Sequence, residues 1–284
     1  MYDIKNITVL GAGTMGNSIA QVSAAAGYNV VMEDIAAAPL EKGMTTIKKS
    51  LTKLVSKGKM SQENADGTLS RIATSVNLED AVKDADMVIE AVPEVLKIKI
   101  DTYKNLNTAC KADCILGSNT SALPITVLAS VVENPERVAG IHFMNPVPVI
   151  KGIELIRAQH TSDECMDAIL EYCRRIDREP CVAIDYAGFI VSRLLDVYQN
   201  EAVKCVMDGN KPEDIDKAMK LCCNFPIGPC ELLDLVGLDI VEHGLKTLEE
   251  DFGDKYKAAP LLTKMVRAGE VGRKSGKGFY SYEK

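Results

Sequence analysis

No apolar run in the 284-residue chain approaches the roughly 20 residues a helix needs to span a bilayer. The first residues, Met1-Tyr2-Asp3-Ile4-Lys5, lack the charged and apolar regions of a signal peptide. The expectation is a soluble, cytoplasmic protein with no membrane partner. Excess positive charge is also missing: 33 Lys and Arg stand against 40 Asp and Glu, a formal charge of −7. No overall basic field is there to hold nucleic-acid phosphates, so nucleic acid is not an expected partner. The nine cysteines are scattered, without a C-x-x-C pair or a zinc-ligand spacing, which points to reduced thiols and no metal. Histidine is scarce, with three residues. What is present is ordinary for a globular protein, 46% apolar and 26% charged residues, in a chain long enough for one large or two medium domains.

Ile4 to Leu10 reads as a short buried strand running into Gly11-Ala12-Gly13-Thr14-Met15-Gly16, a G-x-G-x-x-G pattern. An apolar helix, Ser18 to Ala26, follows, and then a second strand, Asn29 to Met32. Gly11 allows the tight turn, Gly13 lets backbone approach a pyrophosphate, and Gly16 lets helix and strand pack closely. The first helical N–H groups, at Thr14, Met15 and Gly16, face the phosphates. The second strand ends at Glu33-Asp34, where an acid accepts from a ribose 2′-hydroxyl and repels a 2′-phosphate. Strand, turn, helix, strand and acid together predict a dinucleotide site selecting NAD over NADP. The alternative is a glycine-rich turn in some other α/β protein.

Between Pro39 and Arg71 lies a helical insertion that a minimal nucleotide-binding fold does not require, with Met44, Ile47, Leu51 and Leu54 at helical spacing. Lysines 42, 48, 49, 53, 57 and 59 crowd into it without an intervening acid. They read either as a solvated face or as an anion site. Further strands are expected at 87–92, 114–117, 138–141, 153–156 and 181–184, with helices near 93–110 and 124–131. This alternation predicts a doubly wound, mainly parallel, Rossmann-like sheet over residues 1–185. From 186 to 284 the chain reads as an all-helical second domain, with helices at 187–207, 212–222, about 230–250 and 259–268.

His142 closes the apolar run Gly140-Ile141-His142-Phe143, just before the turn-forming Asn145-Pro146-Val147-Pro148, with Glu154 twelve residues on. Histidine moves protons near neutrality, and a carboxylate that fixes its tautomer completes a general acid/base unit. Beside a nicotinamide, that unit reads as alcohol oxidation or ketone reduction. The bland readings are a satisfied core histidine and an ordinary buried acid. His160 and His243 show no partner in the sequence.

Ser118-Asn119-Thr120-Ser121, His142 to Pro148, Gly188-Phe189-Ile190-Val191 and Gly272-Arg273-Lys274-Ser275-Gly276-Lys277-Gly278-Phe279-Tyr280 stand in this order. Together they resemble the short-chain 3-hydroxyacyl-CoA dehydrogenase family, and within it the monofunctional bacterial 3-hydroxybutyryl-CoA dehydrogenases, over essentially the whole chain. The resemblance implies NAD as cofactor, an acyl-CoA thioester as substrate and a homodimer formed through the helical domain, with which the apolar Leu194, Leu195 and Val236 are compatible. It implies His142 and Glu154 as the catalytic pair, Ser121 between nicotinamide and substrate oxygen, and Asn145 near the nicotinamide. Glu94, Lys99 and Lys274 match cofactor-contacting positions, and Ser50 and Lys57 match positions that contact coenzyme A. Ser192 stands where the family usually has a substrate-holding asparagine. Ser121 also reads as a helix N-cap, and Asn145 as a turn-shaping residue. Two rival functions stay open: a dehydrogenase of a free hydroxy or sugar acid, and a non-catalytic, crystallin-like dinucleotide-binding protein.

Overall fold

The apolar, β-branched runs of the first 185 residues become eight strands of one sheet. In the computed structural model, which describes residues 2–282, these are β1 (Asn6–Leu10), β2 (Asn29–Glu33), β3 (Ile72–Ser75), β4 (Met87–Glu90), β5 (Ile115–Ser118), β6 (Val138–Phe143), β7 (Gly152–Arg157) and β8 (Glu179–Ile184). Their order is β3-β2-β1-β4-β5-β6-β7-β8, the reversal beside β1 being the switch point of a doubly wound sheet. All neighbours are parallel except β6 and β7, which are antiparallel. Only eight residues separate those two strands, too few for the crossover that a parallel return needs.

Helices α1 (Thr14–Ala25), α2 (Ala37–Ser56), α3 (Gln62–Ser70), α4 (Leu78–Val82), α5 (Leu96–Ala109), α6 (Ile125–Ala129) and α7 (Asp163–Arg175) join the strands. Strands β1, β4, β5 and β6 are buried almost throughout, as parallel strands covered on both faces must be. One core runs from Ile7, Val9 and Ile19 through Met87 and Ile115 to Ile141, Leu155 and Ile169.

The chain divides into two compact units, Met1–Asp185 and Tyr186–Lys284. The second is helical: α8 (Val191–Met207), α9 (Pro212–Cys222), α10 (Pro229–Val236), α11 (Leu238–Phe252) and α12 (Pro260–Arg267). Its core gathers Val203, Leu233, Leu238, Val241, Leu245 and Leu262. Several boundaries differ from the sequence reading. Helix α1 starts four residues early, at the glycine turn itself, and α8 starts four residues late, because Gly188 and Phe189 take positive φ angles of 70° and 49°. The single helix expected over about 230–250 is two, broken at Gly237 with φ of 110°. The glycines and aromatics of the Gly272–Tyr280 motif fold onto Asp234, whose carboxylate accepts from the backbone N–H groups of Phe279 and Tyr280 at 2.9 Å each.

Candidate active site

The register of the sheet sets Glu33, Leu10, Glu90, Ser118, Gly140 and Ile156 side by side in one row at the carboxyl edge of the parallel strands. Everything that follows those residues therefore emerges on one rim: Gly11 to Gly16, Asp34, Glu94, Asn119 to Ser121 and His142. Ligands of open α/β sheets bind at this rim.

At its centre, β1 turns into α1. Gly11 has φ of 91°, a conformation that side chains resist, and its N–H donates to the Glu33 carbonyl at 2.8 Å. A Cβ on Gly16 would lie 1.7 Å from the Gly11 carbonyl oxygen, so only glycine lets the helix start this close to the strand. At Gly13, by contrast, a built Cβ meets nothing within 4 Å, which leaves open space above the loop. Helix α1 has no side-chain cap and no acid in its first turn. Its N-terminal N–H groups and dipole thus suit an anion. Asp34 stands beside the loop, its Oδ2 accepting from Ala12 N–H at 2.9 Å. An uncapped helix start, open room over Gly13 and an acid at the end of β2 fit the pyrophosphate and ribose of NAD. A cavity of about 490 Å3, lined by Leu40, Glu41, Met44, Thr45, Lys48 and Ser75 among others, opens at the same edge beyond Asp34.

The next part is a buried ionic cluster. Lys99, 1% exposed, lies in the first turn of α5 and donates to Glu90 Oε1 at 2.6 Å. Its ammonium also lies 3.1 Å from Glu94 Oε2. Glu90 accepts in addition from Ser118 Oγ at 2.7 Å and Val92 N–H at 2.8 Å. Glu94 takes the Ser121 backbone N–H at 2.9 Å and a short hydrogen bond from the Thr120 hydroxyl. Burial would raise the Glu94 carboxyl, but Lys99 and the bonds from Thr120 and Ser121 hold it below the usual carboxylate range. Lys99, expected from the resemblance to be a cofactor contact, is here paired with both Glu90 and Glu94.

His142 and Glu154 are directly opposed in the antiparallel β6–β7 register. Both are buried, 5% and 2% exposed, and His142 Nδ1 lies 2.9 Å from Glu154 Oε2. A carboxylate facing Nδ1 favours the tautomer that carries the proton on that nitrogen. The spacing of twelve is a consequence of the short β6–β7 return, which folds the second strand back until the two residues meet.

The remaining positions divide. Ser121 is exposed at the rim, but it is not the cap of α6. The Thr120 hydroxyl receives the N–H groups of Ala122 and Leu123, and Asp185 receives those of Ile125 and Thr126 at 3.0 and 2.6 Å. Asn145 is exposed in the turn after β6. Ser50 and Lys57 lie seven residues apart along α2 and its end, so they share one flank of the helix with Lys53. In the helical unit, Ser192 is in the first turn of α8, and the Lys274 ammonium pairs with Asp239 at 2.6 Å. Two contributors escaped the sequence reading. Thr120 ties Glu94 to the loop, and Asn119 Oδ1 accepts from Phe143 N–H at 2.9 Å, fixing the strand end beside His142. The cue for both was the run of short polar side chains at 118–121.

Residues 6–186 match the model of the 3-hydroxyacyl-CoA dehydrogenase NAD-binding domain, and residues 188–282 that of the 3-hydroxyacyl-CoA dehydrogenase C-terminal domain. The chain belongs to the 3-hydroxyacyl-CoA dehydrogenase family. Among its relatives is a 3-hydroxybutyryl-CoA dehydrogenase of Clostridioides difficile, 44% identical over 98% of this chain and 99% of that protein. The human mitochondrial hydroxyacyl-coenzyme A dehydrogenase is 39% identical over 99% of this chain and 92% of its own length. The crystal structure of (S)-3-hydroxybutyryl-CoA dehydrogenase from Ralstonia eutropha superposes with a TM-score of 0.94 at 41% identity, covering 99% of this chain and all of that one. As a 3-hydroxyacyl-CoA dehydrogenase, the protein is an NAD-dependent oxidoreductase. Among the described residues, no helix is long and apolar enough to cross a membrane.

Proposed function

We propose that the protein interconverts (S)-3-hydroxybutyryl-CoA and acetoacetyl-CoA, with His142 as general acid/base and Glu154 as its charge partner. The observation that carries this reading is the buried pair itself, 2.9 Å apart, on facing strands at the rim of a dinucleotide fold. The names of the Clostridioides difficile and Ralstonia eutropha proteins support the substrate.

Bound NAD supplies the hydride acceptor, or as NADH the hydride donor, for the carbon that bears the oxygen. His142 Nε2 takes the hydroxyl proton in the oxidative direction and returns it in the reductive one. Glu154 holds the ring in the tautomer with Nδ1–H and stabilises the imidazolium. Ser121 donates to the oxygen as charge develops, a contribution of about 2–4 kcal/mol by comparison with oxyanion-hole donors. Asn145 lies by the nicotinamide. Thr14, Met15 and Gly16 present backbone N–H groups to the pyrophosphate, and Asp34 accepts from the ribose. Glu94, Lys99 and Lys274 complete the cofactor contacts, and Ser50, Lys57 and Ser192 hold the thioester. In this reading residues 1–185 form the NAD domain and 186–284 the substrate and dimerisation domain. A cytoplasmic setting fits nine thiols that form no disulfide.

The test is NADH oxidation with acetoacetyl-CoA and, separately, with free acetoacetate. Turnover of the thioester alone is the expected result. Preference for the free acid would move the protein to hydroxy-acid dehydrogenases, and activity with neither would favour a non-catalytic dinucleotide binder.

A further inference from the structure

Glu90, fully buried at the carboxyl end of β4, has no task in the reaction proposed above. Its two carboxylate oxygens begin two routes that meet again at Glu94. From Oε1 the route runs through the Lys99 ammonium, which donates to Glu90 at 2.6 Å and lies 3.1 Å from Glu94 Oε2. From Oε2 it runs through the Ser118 hydroxyl, which donates to Glu90 at 2.7 Å and accepts from the Thr120 N–H at 3.3 Å. The Thr120 hydroxyl then donates to Glu94 Oε1 in a short hydrogen bond. The circuit is closed, with a sealed carboxylate at one end and one that is 30% exposed at the other. Glu90 also fixes the backbone on both sides: Oε1 accepts from Val92 N–H at 2.8 Å, and its carbonyl accepts from Asn119 N–H at 2.8 Å.

We propose that Glu90 is a positioning residue for cofactor binding, setting Glu94 through Lys99 on one side and through Ser118 and Thr120 on the other. The inference rests on the reading of Glu94 as a cofactor contact. A buried ion pair is weak evidence for stability, since apolar side chains of similar volume often fill such a place at no cost. What this pair supplies is direction and charge. Lys99 is shared between two carboxylates, so Glu90 takes up part of its charge and leaves Glu94 free to accept from a ligand. Without the Glu90 charge the ammonium belongs to Glu94 alone and draws that carboxylate away from the rim. The half of the cofactor served follows from the sheet. Glu94 follows β4 and accepts from the N–H of Ser121, the residue read as neighbouring the nicotinamide, whereas Asp34 follows β2 on the other side of β1. Glu90 therefore acts on the nicotinamide half, and the adenosine half at Asp34 is held independently.

The test compares NADH with ADP, which carries the adenosine and pyrophosphate but no nicotinamide riboside. Dissociation constants are measured by calorimetry on the full chain without any thioester, so the identity of the substrate does not enter. Glu90→Gln, which keeps the shape and removes the charge, should weaken NADH about tenfold and ADP by less than about twofold. Ser118→Ala keeps the ion pair and cuts the other route, which covers the case of a Glu90 variant that does not fold. It should weaken NADH about threefold, again without touching ADP. In a Glu94→Ala background, Ser118→Ala should have no further effect, because a positioning residue acts only through the group it positions. If Glu94→Ala itself binds NADH like wild type, the reading of Glu94 is wrong and the proposal falls with it. If Glu94→Ala weakens NADH while Ser118→Ala and Glu90→Gln leave it unchanged, or weaken ADP equally, Glu94 stands as a contact and the role of Glu90 is overturned.

Discussion

At the residue scale, the distance between His142 and Glu154 separates two roles that a carboxylate can play. A glutamine in place of Glu154 can still accept from Nδ1 and keep the ring oriented, but it cannot offset an imidazolium charge. Glu154→Gln should therefore keep the fold and NADH affinity while lowering kcat by a factor on the order of 10²–10⁴. Steady-state rates with acetoacetyl-CoA, alongside NADH titration, check this, and near-normal turnover would remove Glu154 from the mechanism. Ser192 makes the opposite kind of test. By the family resemblance, a hydroxyl on a short stem stands where an amide would offer two donors and an acceptor, and a bridging water can recover part of that contact. Ser192→Asn should raise kcat/KM for acetoacetyl-CoA several-fold, within the factor that a hydrogen bond of about 1.5–3 kcal/mol allows. Loss of activity in that variant would mean a pocket built around serine.

At the scale of elements, α2 and α5 make contrasting predictions. The lysines of α2 are exposed, so each contributes little unless a phosphate is present, and what it contributes is screened by salt. Changing Lys53 and Lys57 together to Ala should raise KM for acetoacetyl-CoA about three- to tenfold, most at low salt. The KM for acetoacetyl-pantetheine, which lacks the nucleotide phosphates, should stay put. An equal rise for both substrates would trace the effect to stability. Lys99 in α5 is the buried counterpart: Lys99→Met leaves Glu90 and Glu94 facing each other without a cation. It should cost about 3–5 kcal/mol, read in a urea melt, and a cost below about 1 kcal/mol would show the cluster to be slack.

The elements also show how far sequence reasoning reaches. The Rossmann-like sheet, the helical second half and the 212–222 helix were legible, because long apolar runs and cap signals act locally. Strand β3 was not: Ile72-Ala73-Thr74-Ser75 has one large apolar side chain, and its pairing with β2 alone makes it a strand. Helix α7 was missed despite its signals, an N-cap at Ser162, acids at 163 and 164 and arginines at 174 and 175. In the site, His142 and Glu154 could be named from the sequence, but their facing positions come from the antiparallel register. The burial of Lys99 between Glu90 and Glu94 is a tertiary arrangement that no local pattern announces.

At the scale of the whole molecule, buried acids set how stability follows pH. Asp196 in α8 is 8% exposed and lies against α11, where a Cβ on Gly244 would come within 2.3 Å of its Oδ2. Burial alone raises its carboxyl to about 7. Glu33, buried and next to Asp34, is likewise raised to about 7, first by burial and then by that neighbouring charge. In both cases the folded state keeps a proton that the unfolded chain gives up near pH 4. The stability tied to that proton is complete below the unfolded pKa, falls as pH rises, and is gone once the folded pKa near 7 is passed. Asp196→Asn keeps the shape and removes the titration, while the Glu33 contribution is common to both proteins and cancels in the comparison. The variant should thus gain stability relative to wild type between pH 5 and pH 8, by about 2.7 kcal/mol for the two units from pH 5 to 7 at 1.36 kcal/mol per pKa unit. That is a difference of several degrees in Tm for a chain of this size. Thermal melts of both proteins at the two pH values measure it. A Tm difference that is the same at pH 5 and pH 8 would mean that Asp196 is ionised in the folded protein, with a partner charge holding it there.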